Sequence, residues 1–586
     1  MYNIKIKYAV TDIQLLFIEK SIELLYKNTI DTFRLRLNNP KTVIKELMEI
    51  CSLMERKELT NNEYAISLSK EVVRLLIQEN ELNFQKVNKK YYLNLLNTPK
   101  EYVKILQASR IVLSENDNYL KVLFEKIDNL INQYPDCVIE DSVIYNFMDL
   151  IQYLFIELLN LGYSKQYLHK FTTSIFYFGE ENFLARYEIL EKLAQREEED
   201  FELIFCVENN KGFNISDLTI VNPNISIINA GDRKRIRNIS NSKVADYLDK
   251  RASIGAGALF SIKQKALDYY KAVNISIDIL SSDFDVYHLG HSDAEFKLQK
   301  EVVVIGSKNP QKATIIPCDY QIDGYYRSSK KVFDMFIQRL NKLTELKVSE
   351  ESKRKIKSAI RYLRLGTESP QLENKLLNYW IGIEYIFTNH IDGSSTLIRI
   401  KDIFPKCHSI IYFKRNMFQF HKELDMLNEK EYIVEYNKNL EYLSKQDTYQ
   451  LIIGKTDSVL MRYRAKYYLQ FLQHPEKINT ILNTHQENLK QNIIRLYRIR
   501  NEIVHNAAIK SGIAVHASHL RYYLTFILNS ILEYFVNNPV DVDYDDKLTI
   551  EDFFISQDIM LGSIDIKGKI KIDKLLNVAN PLELLN

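Results

Sequence analysis

The chain has 586 residues, of which 46% are apolar and 26% charged, a composition typical of globular proteins and a length sufficient for roughly three to four domains. Its formal net charge of only +2 excludes a protein that coats nucleic acid through its overall field, so any site for a polyanion must be local. The five cysteines are scattered without a C-x-x-C pair, which excludes a zinc ribbon and a disulfide framework and favours a reducing compartment.

The N-terminal stretch "MYNIKIKYAV" lacks the apolar core of a signal peptide. The longest apolar runs are broken by Lys, Asn or Glu well before a membrane-spanning length of about 18 residues. We therefore expect a cytoplasmic protein without a membrane partner. The abundance of Asn, Lys, Ile and Tyr is typical of AT-rich genomes and favours a bacterial origin.

Two sequence patterns, one helical and one strand-like, follow one another in the N-terminal half of the chain. Residues 1–198 are dominated by helical periodicity, as in "TDIQLLFIEKSIELLYKN", and predict a helical N-terminal region. Residues 199–325 carry short β-branched runs between Asn, Gly, Ser and Asp turns, namely "FELIFCVE", "LTIVNPNISIIN", "VNISIDIL" and "EVVVIGS". The fold class predicted is mainly α with a β-rich middle segment, that is, an α+β multidomain chain.

The region from 326 to 540 predicts a bundle of four amphipathic helices. Ser369 and Pro370 predict the start of the second helix as an N-cap followed by proline at the first helical position, and Ser511 with Gly512 predicts the end of the third. The four predicted helices span residues 352–365, 370–389, 488–509 and 515–536.

Two segments interrupt or extend this bundle. An insertion at about 391–487, with polar helices of its own, separates the second helix from the third. Residues 541–586 are predicted to form a C-terminal extension, in which an acidic linker leads to a small hairpin at "SIDIKGKIKI".

Two motifs approach a known ligand site but lack a required member. "IIGKTDS" at 452–458 ends like a phosphate-binding loop, yet Tyr449 stands where the first glycine is needed. "DVDYDDKLTIED" at 541–552 spaces carboxylates like an EF-hand loop, but Asp546 replaces the turn glycine and Asp552 the bidentate glutamate. A solvated linker is the better interpretation of the second motif.

Histidine pairs and one acidic run are the candidate metal ligands. "HLGH" at 288–291 and the pair His516 and His519 each offer two imidazoles without a third ligand close in sequence. "DAEFK", with Glu295 and Lys297, is similar to the carboxylate and lysine strand of metal-dependent nucleases but lacks an upstream aspartate. We therefore predict no metal ion.

The segment "RLYRIRNEIVHNAA" at 495–508 carries the most informative polar pattern. On a helix, Arg500 falls where the next member of an apolar stripe should stand. Asn501 and His505 share one edge, with Arg498 on the same side. Arg500 and His505 lie about 140° apart around the axis, so two copies across a two-fold axis would bring them together more readily than one helix. The stripe consists of Leu489, Ile493, Leu496, Ile503 and Ala507.

Spacing alone leaves two interpretations of Arg500 open. If the stripe ends in a dimer cleft, the guanidinium meets phosphate or water. If the stripe is buried throughout, the guanidinium needs a carboxylate, and Glu384 on the neighbouring helix "NYWIGIEYIF" is the obvious partner.

The pattern R-N-x-x-x-H in the third helix of a four-helix bundle resembles the signature of the HEPN superfamily, an arginine followed after four to six residues by a histidine. Arg500, Asn501 and His505 match this pattern, including the polar residue that commonly follows the arginine. The segment "YLRLGTESPQLENKLLNYWIGIEYIF" is similar to the opening of the Apea-like HEPN branch. The resemblance covers about residues 350–540. Residues 1–345 resemble only loosely the variable sensing regions of bacterial anti-phage proteins.

The resemblance implies a metal-independent endoribonuclease without a cofactor, with Arg500, Asn501 and His505 as catalytic residues. The 2′-hydroxyl of RNA would attack the adjacent phosphate, His505 would transfer the proton, and Arg500 would stabilise the charge on phosphate. Asn501 would orient the imidazole or the phosphate. Products would carry a 2′,3′-cyclic phosphate and a 5′-hydroxyl. Three neighbouring cations are candidates for RNA binding: Lys490, Arg495 and Arg498.

The same pattern occurs a second time, in "RNMFQFH" from Arg415 to His421. This copy lies in the predicted insertion among phenylalanines typical of packing, so the copy at Arg500 is preferred. Two compact basic runs, "DRKRIRN" at 232–238 and "SKRKIK" at 352–357, could also hold RNA, although solvated helix faces are the favoured interpretation.

The function expected is that of a bacterial toxin-like ribonuclease in abortive-infection defence, acting as a homodimer on host RNA, with tRNA as a candidate target. The region 1–345 would respond to a phage-derived trigger or restrain the nuclease. An alternative is a non-catalytic nucleotide- or RNA-binding module, or an adaptor in a larger defence complex. A third class is a metal-dependent nuclease around Glu295 and Lys297.

Overall fold

The computed structural model describes most of the chain, interrupted by short gaps. The residues outside the description are 1–5, 7, 27–37, 60, 79–80, 135–138, 179–180, 210–221, 253–256, 289–295, 319–329, 370, 390–394, 434–435, 437–439, 507–512, 540–545, 565–571 and 579–586. At eleven further positions the backbone is described but the side chain is not: 78, 209, 251, 252, 257, 287, 288, 331, 332, 505 and 506.

Helices open the chain, and side-chain caps fix where the first of them begin. Thr11 and Gln14 form a reciprocal capping box before one helix, and Asn39 and Thr42 do the same before the next, where Pro40 takes the first helical position. The helices are α1 (Asp12–Leu25), α2 (Pro40–Glu55), α3 (Glu63–Gln78), α4 (Lys89–Leu96), α5 (Tyr102–Glu115), α6 (Tyr119–Gln133), α7 (Asp141–Leu161), α8 (Lys165–Phe178) and α9 (Phe183–Glu191).

A five-stranded antiparallel sheet follows, in the order β2-β3-β1-β4-β5. Along its central strand the side chains alternate: Phe201, Leu203 and Phe205 are buried on one face, and Ile204 and Cys206 on the other. In chain order the elements are β1 (Glu199–Asn209), β2 (Ile225–Ile227), α10 (Ala230–Ile239), α11 (Ser242–Ala252), β3 (Gly257–Ala266), α12 (Tyr269–His288), β4 (Phe296–Gly306) and β5 (Thr314–Pro317).

One predicted strand is wrong, because "VNISIDIL" lies inside helix α12. Its apolar residues are spaced for a helix and pack on one face of the sheet: Val273, Ile277, Leu280 and Phe284. Asp268 caps the helix by accepting hydrogen bonds from two backbone amides of its first turn, at 2.9 Å each. Tertiary packing and the cap therefore outweigh the β-branched composition. The coarser prediction, mainly α with a β-rich middle segment, is confirmed.

The four helices predicted for the C-terminal region are all present, as α14, α15, α19 and α20. The predicted cap of the second is wrong: Gln371 is the N-cap of α15, and Ser369 ends α14 by donating its hydroxyl to the Leu365 carbonyl at 2.7 Å. Pro370, Ser511 and Gly512 lie outside the described residues. The region comprises α13 (Lys330–Lys342), α14 (Glu350–Glu368), α15 (Leu372–Phe387), α16 (Thr396–Met426), α17 (Gln446–Lys455), α18 (Val459–Gln473), α19 (Lys477–Asn506), α20 (Ile513–Asn537), α21 (Ile550–Ile564) and α22 (Ile572–Leu576).

The predicted insertion is integrated with the bundle through helix α16. Ile400, Phe404 and Cys407 in its first half lie in the same apolar core as α14, α15, α19 and α20. Phe413 and Phe420 in its second half lie in a second core, formed with α17, α18, the start of α19 and α22. The long helix therefore belongs to both cores.

The C-terminal extension differs from the predicted hairpin wherever it is described. Ile564 is the last residue of α21 and Ile572 the first of α22, so the two ends of "SIDIKGKIKI" are helical. The residues between them lie outside the description. Val348 and Leu548 form an isolated parallel bridge, which ties the extension to the start of α14.

The chain divides into two compact units, residues 157–321 and the remainder, 1–156 with 322–586. The segment 157–198, expected with the N-terminal helices, belongs to the unit of the sheet. One physical reason is that the buried Asp268 carboxylate accepts the backbone amide of Ser164 at 2.6 Å and its hydroxyl at 2.8 Å. The helices before position 157 share a unit with the C-terminal bundle.

Among the described residues, α7 alone is long and apolar enough to cross a membrane, with a mean hydropathy of 1.3 in its most apolar window. Of that window, 56% is buried inside the protein, as in a helix that belongs to a protein core. Length and composition are therefore weak evidence for a membrane span here.

Candidate functional site

Helix α19 carries the predicted catalytic motif on its last two turns. Leu489, Ile493 and Leu496 are fully buried in the bundle core, and Ile503 packs against it from a partly exposed position. Arg500 continues this stripe and is partly exposed. Arg500 therefore interrupts the apolar face between the buried Leu496 and the partly exposed Ile503.

Arg500 has one described hydrogen-bond partner, the side chain that follows it. Its Nη1 donates to Oδ1 of Asn501 at 3.0 Å. Within the described part of the chain no carboxylate pairs with this guanidinium, and the ion pair with Glu384 that spacing left open does not form. The positive charge of Arg500 is therefore not neutralised by any described acidic side chain.

Asn501 connects the motif to the N-terminal helices. It lies near the buried Tyr64 on α3, whose hydroxyl has a pKa raised to about 12, chiefly by burial, with the Asn501 side chain partly offsetting the rise. His505 lies in the last turn of α19, but its side chain is outside the described residues. Five residues correspond to about 7.5 Å along a helix axis and about 140° around it. The backbone thus separates Arg500 from His505 within one copy.

Arg495 does not fit the predicted role in RNA binding. Its side chain is 8% exposed and contacts two carboxylates from the N-terminal helices. The guanidinium donates to Glu46 on α2 through Nε at 2.9 Å and Nη2 at 2.8 Å, and Nη2 also contacts Glu71 on α3 at 2.8 Å. Its hydrogen-bonding edges are therefore used within the protein.

Arg498 is held in the same buried cluster, so it does not fit a role in RNA binding either. It contacts Glu46 at 2.5 Å and Glu502 at 3.3 Å, with its side chain 9% exposed. Burial would raise the pKa of Glu46, but the charges of Arg495 and Arg498 outweigh this effect and lower that pKa to about 2. We call Glu46, Glu71, Arg495 and Arg498 the ionic cluster.

Lys490 differs from these two arginines because it remains partly accessible. Its side chain is 33% exposed, and its Nζ lies 2.9 Å from Glu487 one turn earlier on α19. A surface pair of this kind contributes little to stability and exchanges readily with solvent or phosphate. Of the three cations predicted to hold RNA, Lys490 alone is placed where RNA could reach it.

The second copy of the arginine-to-histidine pattern is fully engaged in packing. Arg415 donates to the Tyr522 hydroxyl and lies 4.7 Å from the centre of that ring. The ring nitrogens of the buried His421 hydrogen bond to Tyr442 at 2.8 Å and Tyr436 at 3.2 Å. Burial lowers the pKa of His421 to about 4. Its imidazole is therefore neutral and structural, as the preference for Arg500 implied.

The remaining motifs gain no ligand site from the structure. "IIGKTDS" lies across the end of α17, and Asp552 is a cap that accepts the backbone amide of Thr549 at 2.7 Å. His519 hydrogen bonds to Asn492 at 3.3 Å. Residues 289–295, which include most of "HLGH" and the start of "DAEFK", lie outside the description. Within the described ranges no group of three or more His, Cys, Asp or Glu side chains could hold a metal ion.

Sequence reasoning missed the acidic partners, which come from α2 and α3. The signal that could have found Glu71 is its position on the buried stripe of α3, between Leu68 and Leu75. A carboxylate on an apolar stripe needs a buried cation as its partner, just as Arg500 needs an anionic partner or a cleft that holds water or phosphate. Its position gives no indication of which of the chain's cations it meets.

No protein-family model, no curated protein and no solved structure matches this chain. The chemistry therefore rests on the residues themselves. They provide a partly exposed guanidinium without a described acidic partner, an adjacent carboxamide that holds it, and a histidine further along the same helix.

Proposed function

We propose that the protein is a metal-independent endoribonuclease of the HEPN type, with Arg500, Asn501 and His505 as its catalytic residues. One observation carries the proposal. Three arginines lie close together on α19, and Arg500 alone has no carboxylate partner among the described residues, whereas Arg495 and Arg498 are neutralised in the ionic cluster. An uncompensated guanidinium is suited to a phosphate and to the charge that develops on it.

The reaction needs no group beyond these side chains and the RNA. His505 takes the proton of the 2′-hydroxyl or returns one to the leaving 5′-oxygen, because an imidazole titrates near neutral pH. Arg500 binds the phosphate oxygens, and Asn501 holds the guanidinium through its own carbonyl oxygen. The products carry a 2′,3′-cyclic phosphate and a 5′-hydroxyl.

We propose a homodimer as the active form. Arg500 and His505 are five residues apart on one helix, which separates them by about 140° around the axis. A two-fold axis beside the last turns of α19 would place the arginine of one copy near the histidine of the other, so that two composite sites form. Val504, which is 48% exposed between them, offers an apolar contact at such an interface.

The biological role proposed is abortive-infection defence in a bacterial cytoplasm, with host RNA, for example tRNA, as substrate and a phage-derived trigger. Support for control by the N-terminal region comes from the contacts of α2 and α3 with α19. Tyr64 on α3 lies near Asn501, and the two arginines of the ionic cluster precede Arg500 by five and two residues on the same helix. A shift of these helices would act directly on the proposed site.

The test is cleavage of total RNA by the purified full chain in EDTA, comparing wild type with Arg500→Ala and His505→Ala. Lys477→Ala, an exposed lysine at the other end of α19, is the matched control. We expect cleavage by wild type and by the control, loss in both site variants, and 5′-hydroxyl ends on the products. A substrate with a 2′-deoxy nucleotide at the cleaved position should resist.

The alternative, a non-catalytic RNA-binding or adaptor module, gives a different result in the same assay. Wild type would bind RNA without cutting it under activating conditions, and Arg500→Ala would weaken binding. Cleavage that disappears with EDTA would instead indicate a metal-dependent nuclease and contradict the proposal.

A further inference from the structure

Helix α14 presents a row of cations on its outer face. Arg354, Lys357, Arg361 and Arg364 are separated by three, four and three residues, so they lie within about 80° of one another around the helix and span about 15 Å along it. All four are exposed. We call them the basic stripe.

The basic stripe is a local excess of charge in an otherwise balanced chain. Helix α14 carries six cationic side chains against three carboxylates, whereas the whole chain has a formal net charge of only +2. Arg364 pairs with Glu368 at 2.5 Å, where both side chains are 58% exposed. No ion pair to Arg354, Lys357 or Arg361 occurs within the described ranges. Three of the four cations are therefore available to an external anion.

Glu350 is the acidic residue that acts on the N-terminal end of the stripe. Its carboxylate pairs with Lys353 at 3.1 Å and reaches Lys357 only through its electrostatic field. Both groups of the Glu350 and Lys353 pair lie at the surface end of the helix, where such pairs are weak. Cations therefore outnumber carboxylates along the stripe.

The opposite face of α14 is fixed in the bundle. Ile356 and Ala359 are fully buried, and the Gly366 backbone approaches Tyr379 so closely that a Cβ atom would lie 2.5 Å from its ring. Because its apolar face is already used for packing, α14 cannot insert that face into a lipid surface. The stripe is thus held on a rigid support that fits a charged polymer rather than a membrane.

An aromatic pair lies beside the stripe. Tyr362 on α14 stacks on Tyr385 of α15, with ring centroids 5.5 Å apart, and Tyr385 keeps 42% of its surface exposed. An exposed aromatic ring next to a row of cations is a combination that binds single-stranded nucleic acid, through base stacking and phosphate contacts.

We infer that the basic stripe binds the phosphate backbone of single-stranded RNA and that Tyr385 contacts a base beside it. The choice of RNA rests on the proposed ribonuclease function. The inference places RNA binding on a different helix from the proposed catalytic residues. The basic stripe takes the role that the sequence suggested for Arg495 and Arg498, which are buried in the ionic cluster.

The experiment is fluorescence anisotropy with a labelled 20-nucleotide single-stranded RNA and the full chain, across a series of salt concentrations. The test variant is Arg354→Gln, Lys357→Gln, Arg361→Gln. The matched control neutralises Lys104, Lys121 and Lys126, three exposed lysines on α5 and α6 that each pair with a carboxylate. We expect the test variant to bind about 10-fold to 100-fold more weakly and its log–log salt slope to fall by about two, because three phosphate contacts are lost.

Three results would overturn the inference: no binding by wild type, an unchanged salt slope in the test variant, or tighter binding to anionic lipid vesicles than to the RNA. A separate readout distinguishes this failure from failure of the proposed function. In a cleavage assay the test variant should raise KM and leave kcat within about two-fold. RNA binding through the stripe without any cleavage would support the stripe while contradicting the ribonuclease.

Discussion

The interior and the C-terminal end of helix α19 place arginine side chains in opposite environments. In the interior of α19, Arg495 and Arg498 are buried and share the carboxylates of the ionic cluster. At its end, Arg500 is partly exposed and its described partner is a neutral carboxamide. Cations that lie close together in a sequence therefore need not belong to one binding site. Here the first two arginines are neutralised by carboxylates within the protein, and the third has no described acidic partner.

Removal of an interior arginine should have the largest effect on stability. Arg495→Ala leaves Glu71 without its described ion-pair partner and Glu46 with only Arg498, so we expect the free energy of unfolding to fall by about 3–5 kcal/mol. Denaturant unfolding of the full chain measures this loss. Combining Arg495→Met with Glu71→Leu should recover part of it, because no carboxylate is then left buried and unpaired. Equal stability of Arg495→Ala and wild type would break the comparison.

The terminal arginine should show the reverse pattern. Arg500→Ala should lower RNA cleavage by about 100-fold to 1,000-fold, since it removes a cation from the phosphate in the transition state. Its free energy of unfolding should change by about 1 kcal/mol or less, because no described ion pair is lost. A single-turnover assay and a denaturation curve of the same preparation give both values. Severe destabilisation with unchanged cleavage would reverse the assignment of the two regions.

The ionic cluster also predicts a dependence of stability on acid pH. The pKa of Glu46 falls from 4.5 to about 2 on folding, so its contribution is complete above pH 4.5 and is lost as the pH falls towards 2. Its magnitude is on the order of 3 kcal/mol. The difference in unfolding free energy between wild type and Glu46→Gln should therefore shrink across this window.

Buried carboxylates with raised pKa values do not obscure that window. Glu19 and Glu423 have pKa values raised to about 7, mainly by burial, so below pH 4.5 they are protonated in both the folded and the unfolded state. The pKa of the neighbouring His516 is lowered to about 3, chiefly by burial, and Glu46 raises it in wild type, so this histidine adds to the difference at the acid end of the window. If the difference in unfolding free energy between wild type and Glu46→Gln stays constant from pH 5 to pH 2, the ionised Glu46 does not stabilise the folded protein through the ionic cluster.

The smallest effect is expected at Lys490, which belongs to neither region. Its pair with Glu487 lies at the surface, so Lys490→Ala should change the free energy of unfolding by about 0.5 kcal/mol or less. If this lysine contacts RNA, the log–log salt slope of binding should fall by at most about one. Anisotropy titration against wild type provides the measurement, and a larger loss of stability would place Lys490 with the interior arginines.

Local rules explain which elements of the fold could be predicted. Helices α14, α15, α19 and α20 follow from apolar residues spaced for one face, and that spacing survives in the folded core. Part of helix α12 was predicted as a strand because its β-branched residues were given more weight than their helical spacing. That spacing forms the apolar face that packs against the sheet. The shared role of α16 could not be predicted, since its two halves join cores whose other members lie far away in sequence.

The site was predictable to the same extent. The break in the apolar stripe at Arg500 is a local feature, and of the two interpretations that spacing left open, the ion pair with Glu384 does not form among the described residues. Neutralisation of Arg495 depends on Glu46 and Glu71, which lie 449 and 424 positions earlier. No spacing rule reaches across such a separation, so Lys490, Arg495 and Arg498 were predicted alike as RNA-binding cations, although the fold buries the two arginines and leaves Lys490 partly exposed.

The position of Glu46 has a practical consequence for dissecting the chain. A fragment that begins near residue 330 would retain every helix of the bundle but lose both acidic partners of Arg495. Such a fragment should aggregate or bind nucleic acid indiscriminately, so activity measured on it would describe a surface that the intact protein keeps hidden.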